Sequence, residues 1–447
     1  MNYSDLLTMM EHSEKNLLVL GRGGSGKTFL VNQFLESTEL NVLRTAPTGL
    51  AAMAIDGAST NHAAFGLLPT VSFNGTIPRL SPDHAKAIQK ADVWLVDEIS
   101  MVRGDQLMAI DRVLKCFRHD PRPLGGIRLI TVGDLWQLSP VATDIEEDCL
   151  LRMALADPLL SHGVYGTPVF ESFLENATIV ELQGVFRQNP QERDFVELLD
   201  RCRRGTLTPA DLDLLGSRVS HSNPNGITIL TTTRKARDLY NNACLQQLPW
   251  KEWKIEPDVR WSDGEVHDET LLADCPGAKT VSLKLGMRVM FTKNDPNGCW
   301  VNGTQGRLVN VDPIDTNEPN RLAIQIDGRP WFEIVHRQDF GIFVPHFDEE
   351  NQRGTVRRIA TVGQFPVEPA YACTIHRSQG RTLSSAIVHL GSGAFASGQT
   401  YVALSRVPSL AALHLATPIL SRDIIVSVAA KQFYERFQKE ILPIHPN

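Results

Sequence analysis

Short, mostly apolar runs recur along the first third of the chain, and each run ends at glycine or at polar residues. The runs occupy residues 17–20, 42–45, 93–96 and 127–132. Continuous apolar runs of this length are typical of strands that are buried on both faces in a parallel sheet. The first run is followed by apolar residues at helical spacing, including Phe29 and Phe34. This succession of strand and helix patterns predicts an α/β fold.

The pattern changes further along the chain, where apolar and polar residues alternate. The alternating runs lie at 307–311, 322–326, 331–335 and 355–362. Asp327-Gly328 separates two of them, and an Asp-Gly pair between strands is a strong hairpin signal. These features predict a small antiparallel barrel. Near the end, Ser421 is predicted to cap a helix whose apolar face includes Phe437, while the polar stretch 249–279 supports no assignment.

The composition is that of a globular protein. The chain has 447 residues, of which 42% are hydrophobic and 21% charged, and 44 basic against 51 acidic residues give a net charge of −7. This length suggests roughly three packed units. An acidic chain is not expected to bind polyanions over its whole surface, so any nucleic-acid contact is predicted to be a local groove. No apolar run reaches the roughly 18 residues of a membrane span.

The cysteines and the first residues bear on the compartment. The seven cysteines are scattered, and none has the C-x-x-C spacing. This spacing argues against a zinc knuckle and a disulfide framework, and it fits a reducing compartment. The sequence starts without a basic segment followed by an apolar one, so secretion is not expected.

A phosphate-binding motif follows the first predicted strand. Residues 21–28 read Gly-Arg-Gly-Gly-Ser-Gly-Lys-Thr, a complete G-x-x-x-x-G-K-T phosphate loop. Glycines let backbone N–H groups face a phosphate, and the start of the next helix adds its dipole. Lys27 is predicted to reach the β- and γ-phosphates, and Thr28 to bind Mg²⁺. The predicted nucleotide ligands in this loop are Gly21, Gly23, Gly24, Ser25, Gly26, Lys27 and Thr28.

Carboxylates and an amide follow two further strands. Asp97 and Glu98 come directly after the run at 93–96. Adjacent buried carboxylates are costly unless a cation and a reaction use them. Asp97 is therefore predicted to hold Mg²⁺ and Glu98 to polarise the attacking water. Gln137 follows the run at 127–132 and is predicted to sense the γ-phosphate.

A guanine-recognition pattern also occurs, but not at the distance from the phosphate loop that a GTPase requires. Thr292-Lys293-Asn294-Asp295 matches T-K-x-D, but it lies far downstream of the phosphate loop. The D-x-x-G switch is missing as well, because Ser100 stands where its glycine is expected. The pattern therefore favours a polar turn over a GTPase site.

Two arginines stand in ordered motifs far from the phosphate loop. Arg187 lies in Gly-Val-Phe-Arg-Gln (184–188), and Arg406 ends Tyr-Val-Ala-Leu-Ser-Arg (401–406). Arginine fingers stabilise charge on a transferred phosphoryl group. A finger role for these arginines requires a second domain that folds against the first, as in a motor whose cleft closes on ATP. The predicted catalytic residues are thus Lys27, Glu98, Gln137, Arg187 and Arg406.

The order of these motifs resembles the Pif-type (petite integration frequency) family of superfamily-one 5′-to-3′ DNA helicases, with RecD-like enzymes as relatives. The runs 374–380 (Thr-Ile-His-Arg-Ser-Gln-Gly) and 401–406 are the most specific. The matching stretches span nearly the whole chain in family order: 46–52, 60–66, 97–101, 133–140, 185–188, 302–306, 372–380 and 401–406.

The resemblance implies an architecture of two RecA-like P-loop motor domains with two small additions. The first motor domain is expected at 1–172, with a wedge lobe that splits the duplex inserted at 67–89. The second is expected at 173–299 and 365–447, and an SH3-like β-barrel is expected at 300–364 between its parts.

The resemblance also implies further site residues. Gln379 and Gly380 are expected to contribute to nucleotide binding. A DNA strand is expected to cross both motor domains, and one aromatic side chain among its contacts can stack on a base. The expected DNA contacts are Pro47, Thr48, His62, Phe65, Thr374, His376 and Ser378.

The function implied is ATP-dependent, Mg²⁺-dependent 5′-to-3′ translocation on single-stranded DNA with unwinding of duplex DNA. Forked or tailed duplexes are the expected partners, no membrane is involved, and G-quadruplex DNA is an open alternative substrate. The enzyme would serve replication, recombination or repair as a monomer, either in the cytoplasm in association with the nucleoid or, if virus-encoded, in the host cytoplasm. No counterpart of the family's adenine-reading glutamine precedes the loop, since the first glutamine is Gln33, so looser base preference is expected.

Three other functions share part of the pattern. An RNA-directed or duplex-translocating motor would have the same ATP motifs. An ATP-driven switch or loader would bind DNA without unwinding it and would not need residues 67–89. A small-molecule kinase shares the phosphate loop but has no use for the motifs at 374–380 and 401–406.

Overall fold

The computed structural model divides by its internal contacts into two compact units, 1–224 with 378–447 and 225–377. This division differs from the boundaries expected at 172, 299 and 364, and those domain boundaries stay a prediction. The residues that the structure describes are 1–67, 77–80, 82–140, 164–165, 167–188, 192–220, 227–262, 272, 275–313, 319–348 and 353–446.

The α-helices within these residues are mostly one to four turns long. They are α1 (Tyr3–His12), α2 (Lys27–Ser37), α3 (Gly49–Met53), α4 (Asn61–Phe65), α5 (Pro82–Lys90), α6 (Gly104–Arg118), α7 (Pro168–Glu175), α8 (Arg193–Arg204), α9 (Pro209–Gly216), α10 (Arg234–Gln246), α11 (Ile375–Ser378), α12 (Gln399–Leu404) and α13 (Val428–Phe437). None of these described helices is long and apolar enough to cross a bilayer.

The strands of the first half are short, and the longest strands lie between residues 338 and 364. They are β1 (Asn16–Gly21), β2 (Val42–Ala46), β3 (Ser59–Thr60), β4 (Val93–Val96), β5 (Arg128–Gly133), β6 (Ala177–Leu182), β7 (Thr228–Thr231), β8 (Trp253–Ile255), β9 (Asp258–Trp261), β10 (Val281–Leu283), β11 (Arg288–Phe291), β12 (Gln305–Asp312), β13 (Arg321–Ile326), β14 (Phe332–His336), β15 (Gln338–Asp348), β16 (Arg353–Gln364), β17 (Val367–Pro369), β18 (Ala372–Thr374), β19 (Ala386–His389), β20 (Leu413–Leu415) and β21 (Leu442–Ile444).

The first unit contains a seven-stranded parallel sheet in the order β21-β6-β1-β5-β4-β2-β3. β1 pairs with β5 and β6 on its two sides, and its residues from Leu17 to Gly21 are buried. Continuous burial explains why these strands have apolar residues at successive positions rather than alternation. The α/β prediction is confirmed. Because the strands are parallel, the ends of β1, β4 and β5 meet at one edge of the sheet, where ligands bind in such folds.

The end of the chain completes this sheet. β21 pairs in parallel with β6, so the last strand forms the sheet edge. α13 precedes it and packs Phe433 and Phe437 into the same core. The helix is capped by Ser427, whose hydroxyl accepts the N–H of Ala430 at 3.1 Å. The predicted cap, Ser421, instead begins a 3-10 turn that ends at Asp423, so that prediction was wrong.

The second unit contains the alternating strands. β14, β13, β12, β11 and β17 form one antiparallel sheet, and the hairpin predicted at Asp327-Gly328 joins β13 to β14. β15 and β16 pair with each other and with β9 in a separate three-stranded sheet. The predicted strands are therefore present, but they are divided between two sheets, and a closed SH3-like barrel at 300–364 is not confirmed. In the unassigned stretch 249–279, β9 is the third strand of the sheet with β15 and β16, and β8 pairs with β10 in a separate two-stranded sheet.

The wedge lobe expected at 67–89 lies largely outside the described residues, which include 77–80 and the helix that begins at Pro82. The six described cysteines are free, and no cluster of three or more metal-ligating side chains occurs within the described ranges.

Candidate nucleotide and DNA site

The phosphate loop adopts the conformation that its glycines predict. Gly24 and Gly26 have φ angles of 83° and 86°, a region that favours glycine. α2 begins at Lys27, directly after Gly26. A Cβ atom on Gly24 would lie 2.5 Å from the Cβ atom of Arg187, so a side chain at this position has no room. The loop therefore needs glycine both for its curl and for its contact with a residue 163 positions later in the sequence.

Lys27 is buried at the start of α2. Its ammonium donates to the carbonyl oxygens of Gly21 at 2.7 Å and Arg22 at 3.0 Å. Burial lowers the pKa of Lys27, and the negative charge of Asp134, followed by that of Glu98, opposes this shift. The cation thus lies inside the loop, with acidic residues around it.

Asp97 and Glu98 follow β4 at the same sheet edge, and both are buried. The backbone N–H of Glu98 donates to Asp97 Oδ1 at 2.8 Å. Glu98 has φ 50° and ψ 48°, a left-handed conformation that costs free energy in a residue other than glycine. Burial, and then the neighbouring charge of Glu98, raises the pKa of Asp97 to about 7.

This donor set suits a hard cation. Mg²⁺ prefers oxygen ligands and in nucleotide sites usually takes one or two from the protein, with water and phosphate oxygens completing its shell. The carboxylate of Asp97 and the hydroxyl of Thr28 are of this kind, and an acidic pair this deeply buried is stabilised by a nearby cation.

Asp134 and Gln137 lie just beyond β5. Gln137 Nε2 donates to Asp134 Oδ2 at 3.2 Å, which fixes the amide. Gln137 Oε1 is buried and has no hydrogen-bond partner among the residues that the structure describes. An unpaired buried amide oxygen is uncommon in proteins and points to a missing donor.

Arg187 reaches the loop from the segment after β6. Its Nη1 lies 3.3 Å from the position of a Cβ atom on Gly23. Arg187 Nε donates to Thr382 Oγ1 at 2.9 Å, and Nη1 donates to the carbonyl oxygen of Ser405 at 3.1 Å. Arg187 is therefore beside the phosphate loop, and its role as an arginine finger stays a prediction.

Arg406 lies in the interior near the same loop. Its Nη2 donates to Ser405 Oγ at 2.8 Å, and that hydroxyl is 3.5 Å from the Cβ position of Gly23. Three further bonds join the guanidinium to the carbonyl oxygens of Val402, Ser378 and Arg381. Burial, and then the charge of Arg187, lowers the pKa of Arg406 to about 9. Arg406 is 1% exposed, so its side chain does not lie on the protein surface.

The remaining predicted nucleotide residues lie nearby. Gln379 Nε2 is 3.5 Å from Glu98 Oε2, at the limit of a hydrogen bond. Gly380 has φ 79°, which explains glycine at the end of this motif. Phosphate loop, acids, amide and arginines thus belong to one connected site in the first unit.

Sequence reasoning missed several residues of this site. Tyr401 Oη accepts the N–H of Gly23 at 2.9 Å and donates to Asp134 Oδ2 at 3.1 Å. Tyr3 Oη donates to the carbonyl of Ser25 at 2.8 Å. Phe186 packs on Tyr3 with ring centroids 6.0 Å apart, yet its side chain is 60% exposed. Tyr401 and Phe186 lie inside motifs that were recognised for their arginines, whereas no sequence signal marks Tyr3.

The expected DNA contacts around α4 have other partners. Phe65 is fully buried, and its ring packs edge-on against Trp94 with centroids 5.2 Å apart. In this conformation no face of the ring can stack on a base, so the prediction of Phe65 as a stacking residue is corrected: it is a core residue. His62 is half-buried, and its Nε2 lies 3.2 Å from Gln106 Nε2. Burial, followed by the charge of Arg103, lowers the pKa of His62, which favours a neutral imidazole.

The other expected DNA contacts are spread over both units. Thr48 caps α3 by accepting the N–H of Ala51 at 3.2 Å, and Pro47 precedes it. Ser378 is buried in the first unit, while Thr374 and His376 belong to the second. Their roles as DNA contacts stay a prediction.

Known proteins resemble this chain over most of its length. A model of the PIF1-like helicase family matches residues 4–211. The ATP-dependent DNA helicase Pif1 of Bdellovibrio bacteriovorus is 32% identical over 438 residues, which cover 95% of this chain and 89% of that protein. The human ATP-dependent DNA helicase PIF1 is 31% identical over 411 residues, but the match spans only 58% of the human protein.

A solved structure agrees with these sequence matches. The crystal structure of the Pif1 helicase from Bacteroides in complex with ADP-AlF3 and single-stranded DNA matches with a TM-score of 0.82 at 28% identity. The match covers 98% of this chain and 97% of that chain. The chain therefore belongs to the Pif1-like family of ATP-dependent DNA helicases.

Proposed function

We propose that this chain moves 5′ to 3′ along single-stranded DNA and unwinds tailed or forked duplexes with energy from ATP hydrolysis at the site in its first unit. The observation that carries the proposal is the convergence of Arg187, Ser405 and Tyr401 on Gly23, because it joins motifs remote in the sequence to the phosphate loop. Such a site is sensitive to movement of the segments that bear the arginines, as a motor requires.

In the proposed reaction, the backbone N–H groups of the loop and the Lys27 ammonium bind the β- and γ-phosphates. Glu98 orients and deprotonates the attacking water, and the side-chain oxygen of Gln137, which has no partner among the described residues, accepts a hydrogen bond from that water. Arg187 and Arg406 stabilise the negative charge that develops on the transferred phosphoryl group. Thr28 and Asp97 would hold Mg²⁺, which neutralises phosphate charge when it is bound.

Phe186 is the proposed platform for the nucleotide base. It lies 3.0 Å from the Cβ position of Gly26 at the start of α2, and most of its side chain is exposed. Stacking on an aromatic face does not distinguish one base from another. This agrees with the looser base preference that the sequence predicts.

DNA binding is proposed for Pro47, Thr48 and His62 in the first unit, and for Thr374, His376 and Ser378. Hydroxyl and neutral imidazole groups suit phosphate oxygens, which positions the strand without reading its sequence. The Bacteroides relative was crystallised with single-stranded DNA, which supports this partner. We propose a monomer as the working form.

The experiment is a strand-displacement assay with three substrates of equal duplex length: a 5′-tailed DNA, a 3′-tailed DNA and a 5′-tailed RNA. Unwinding of the 5′-tailed DNA alone is expected, and only with ATP and Mg²⁺. Preferred unwinding of the 3′-tailed DNA or the RNA would contradict the direction or the substrate. DNA-stimulated hydrolysis without any displacement would favour a switch or loader.

A further inference from the structure

Tyr401 occupies a position that the proposed reaction does not use. Its ring is buried in α12, and its single hydroxyl accepts the N–H of Gly23 at 2.9 Å while donating to Asp134 Oδ2 at 3.1 Å. Burial raises the pKa of Tyr401, so the hydroxyl stays protonated. A phenol can donate and accept at once, and phenylalanine can do neither. One oxygen atom therefore joins the phosphate loop to the carboxylate beyond β5.

Asp134 is fully buried and receives donors on both oxygens. Oδ2 accepts Tyr401 and the Gln137 amide, at 3.1 and 3.2 Å. Oδ1 accepts Arg203 Nε and the backbone N–H of Trp136, both at 3.2 Å. The carboxylate thus holds Gln137 and Tyr401 at a fixed separation.

Arg203 fixes Asp134 in turn. Its Nη2 also contacts Glu181 Oε1 and Tyr434 Oη, each at 3.2 Å. Tyr434 stacks on Trp136 with ring centroids 5.1 Å apart. Such a paired and buried network has one low-energy arrangement, because every displaced partner would leave a polar group unsatisfied.

Gly23 lies beside three side-chain atoms from later segments of the chain. A Cβ atom on Gly23 would lie 3.3 Å from Arg187 Nη1, 3.5 Å from Ser405 Oγ and 3.5 Å from Tyr401 Oη. The proposed finger Arg187 is thus adjacent to the same backbone N–H that Tyr401 holds. A shift of this peptide would change where the terminal phosphate lies relative to the arginine.

We propose that Tyr401 is a positioning residue for the terminal phosphate: its hydroxyl fixes the phosphate loop at Gly23 and, through Asp134, fixes the Gln137 amide in the same frame. The inference rests on the proposed nucleotide site. Tyr401 acts through these neighbours and needs no contact with the nucleotide. Its effect is therefore specific to steps that involve the γ-phosphate, and ADP, which lacks that group, is bound nearly as before.

The test compares Tyr401→Phe with Tyr434→Phe. Both variants remove one hydroxyl and keep the ring, and both hydroxyls belong to the network around Arg203, but only that of Tyr401 reaches the loop. The measurements are kcat and KM for ATP in DNA-stimulated hydrolysis, the Kd for ADP, and the melting temperature. For Tyr401→Phe we expect kcat to fall about tenfold, with the ADP Kd within about twofold, as for loss of one positioned hydrogen bond. For Tyr434→Phe we expect kcat within about twofold of the unaltered chain, because its hydroxyl is one step removed from the loop.

Three results would overturn the inference: an unchanged kcat in Tyr401→Phe, equal losses in kcat and ADP affinity, or equal losses in kcat in the two variants. A second measurement needs no variant. The amide of Gly23 in the unaltered, nucleotide-free chain is expected to exchange with deuterium slowly, and fast exchange would contradict the bond to Tyr401. If the unaltered chain shows no ATP hydrolysis that Lys27→Ala removes, the proposed function fails instead, so the two failures are distinguishable.

Discussion

The predicted nucleotide residues and the predicted DNA residues of the first unit differ in what their side chains contact. Lys27, Asp97, Glu98 and Arg406 are ionisable and buried, and they lie around one loop. By contrast, Phe65 packs in the core. Thr48 caps a helix, and His62 contacts Gln106.

The difference has a physical origin. Burial of a charge costs several kcal/mol unless partners or a ligand compensate it, so a cluster of buried charges is retained for chemistry. An aromatic ring or a hydroxyl has common structural uses in any fold, as core filler or as helix cap. A charged motif residue therefore predicts its own location better than an aromatic one does.

The largest expected effect is that of Lys27→Ala. Removal of the ammonium takes away the loop's own cation for the β- and γ-phosphates, and ATP hydrolysis is expected to fall by about 10³-fold or more, to background. The matched control is Lys15→Ala, an exposed lysine that precedes β1. Phosphate release in a DNA-stimulated assay measures both. If Lys27→Ala kept more than a tenth of the normal hydrolysis rate, the contrast between the nucleotide residues and the DNA residues would not hold.

The next effect is that of Arg187→Ala and Arg406→Ala. Each is expected to lower kcat by about 10²–10³-fold and to change KM for ATP much less, because a finger acts on charge that develops in the transition state. Arg406→Ala is also expected to lower the melting temperature, since it leaves the carbonyls of Ser378 and Arg381 without this donor. Arg204→Ala, at an exposed arginine, is the control. Unchanged turnover in Arg406→Ala would remove it from the catalytic set.

A smaller effect is expected for Phe186→Ala. Loss of the exposed ring is expected to raise KM for ATP about tenfold with little change in kcat, since base stacking contributes about 1–3 kcal/mol. Leu239→Ala, at another strongly exposed apolar residue, is the control. The same rise with GTP as with ATP would sharpen the proposal that the base is held by its face. A change confined to ATP would contradict it.

The smallest effects separate His62 from Phe65. His62→Ala is expected to weaken single-stranded DNA binding about threefold, as for loss of one neutral phosphate contact, with hydrolysis in the absence of DNA unchanged. Phe65→Leu is expected to leave DNA affinity within about twofold and to lower thermal stability, because it changes a packed core position. Fluorescence anisotropy with a labelled oligonucleotide measures both affinities. A larger loss for Phe65→Leu would restore the stacking role.

Local features of the fold and site could be predicted from the sequence, because they depend on residues close together in the chain. The strand 16–21, the glycine-rich turn and α2 all lie within the 22 residues from 16 to 37. The predicted role of Arg406 rested on the order of the motifs along the whole chain, since no residue near it in the sequence indicates a phosphate.

The bond from Gly23 to Tyr401 joins residues 378 positions apart, and a tyrosine in an apolar helix is as well explained by packing. The pairing of Arg203 with Asp134 likewise depends on the tertiary structure. In the sequence, Arg203 looks like an exposed residue of a helix and Asp134 like a polar residue of a turn. The barrel expected from alternation was not confirmed. Alternation of apolar and polar residues predicts which face of a strand is buried, but it does not predict which strands pair with each other.

The left-handed backbone of Glu98 has a consequence for laboratory evolution. Glycine relieves such a conformation at little cost, and it would also remove one of two crowded carboxylates. Selection for thermal stability alone would thus favour glycine at this position and yield a more stable protein that no longer hydrolyses ATP. Screens for a more stable variant of this enzyme should therefore also select for ATP hydrolysis in every round, since stability and activity favour different residues at this position.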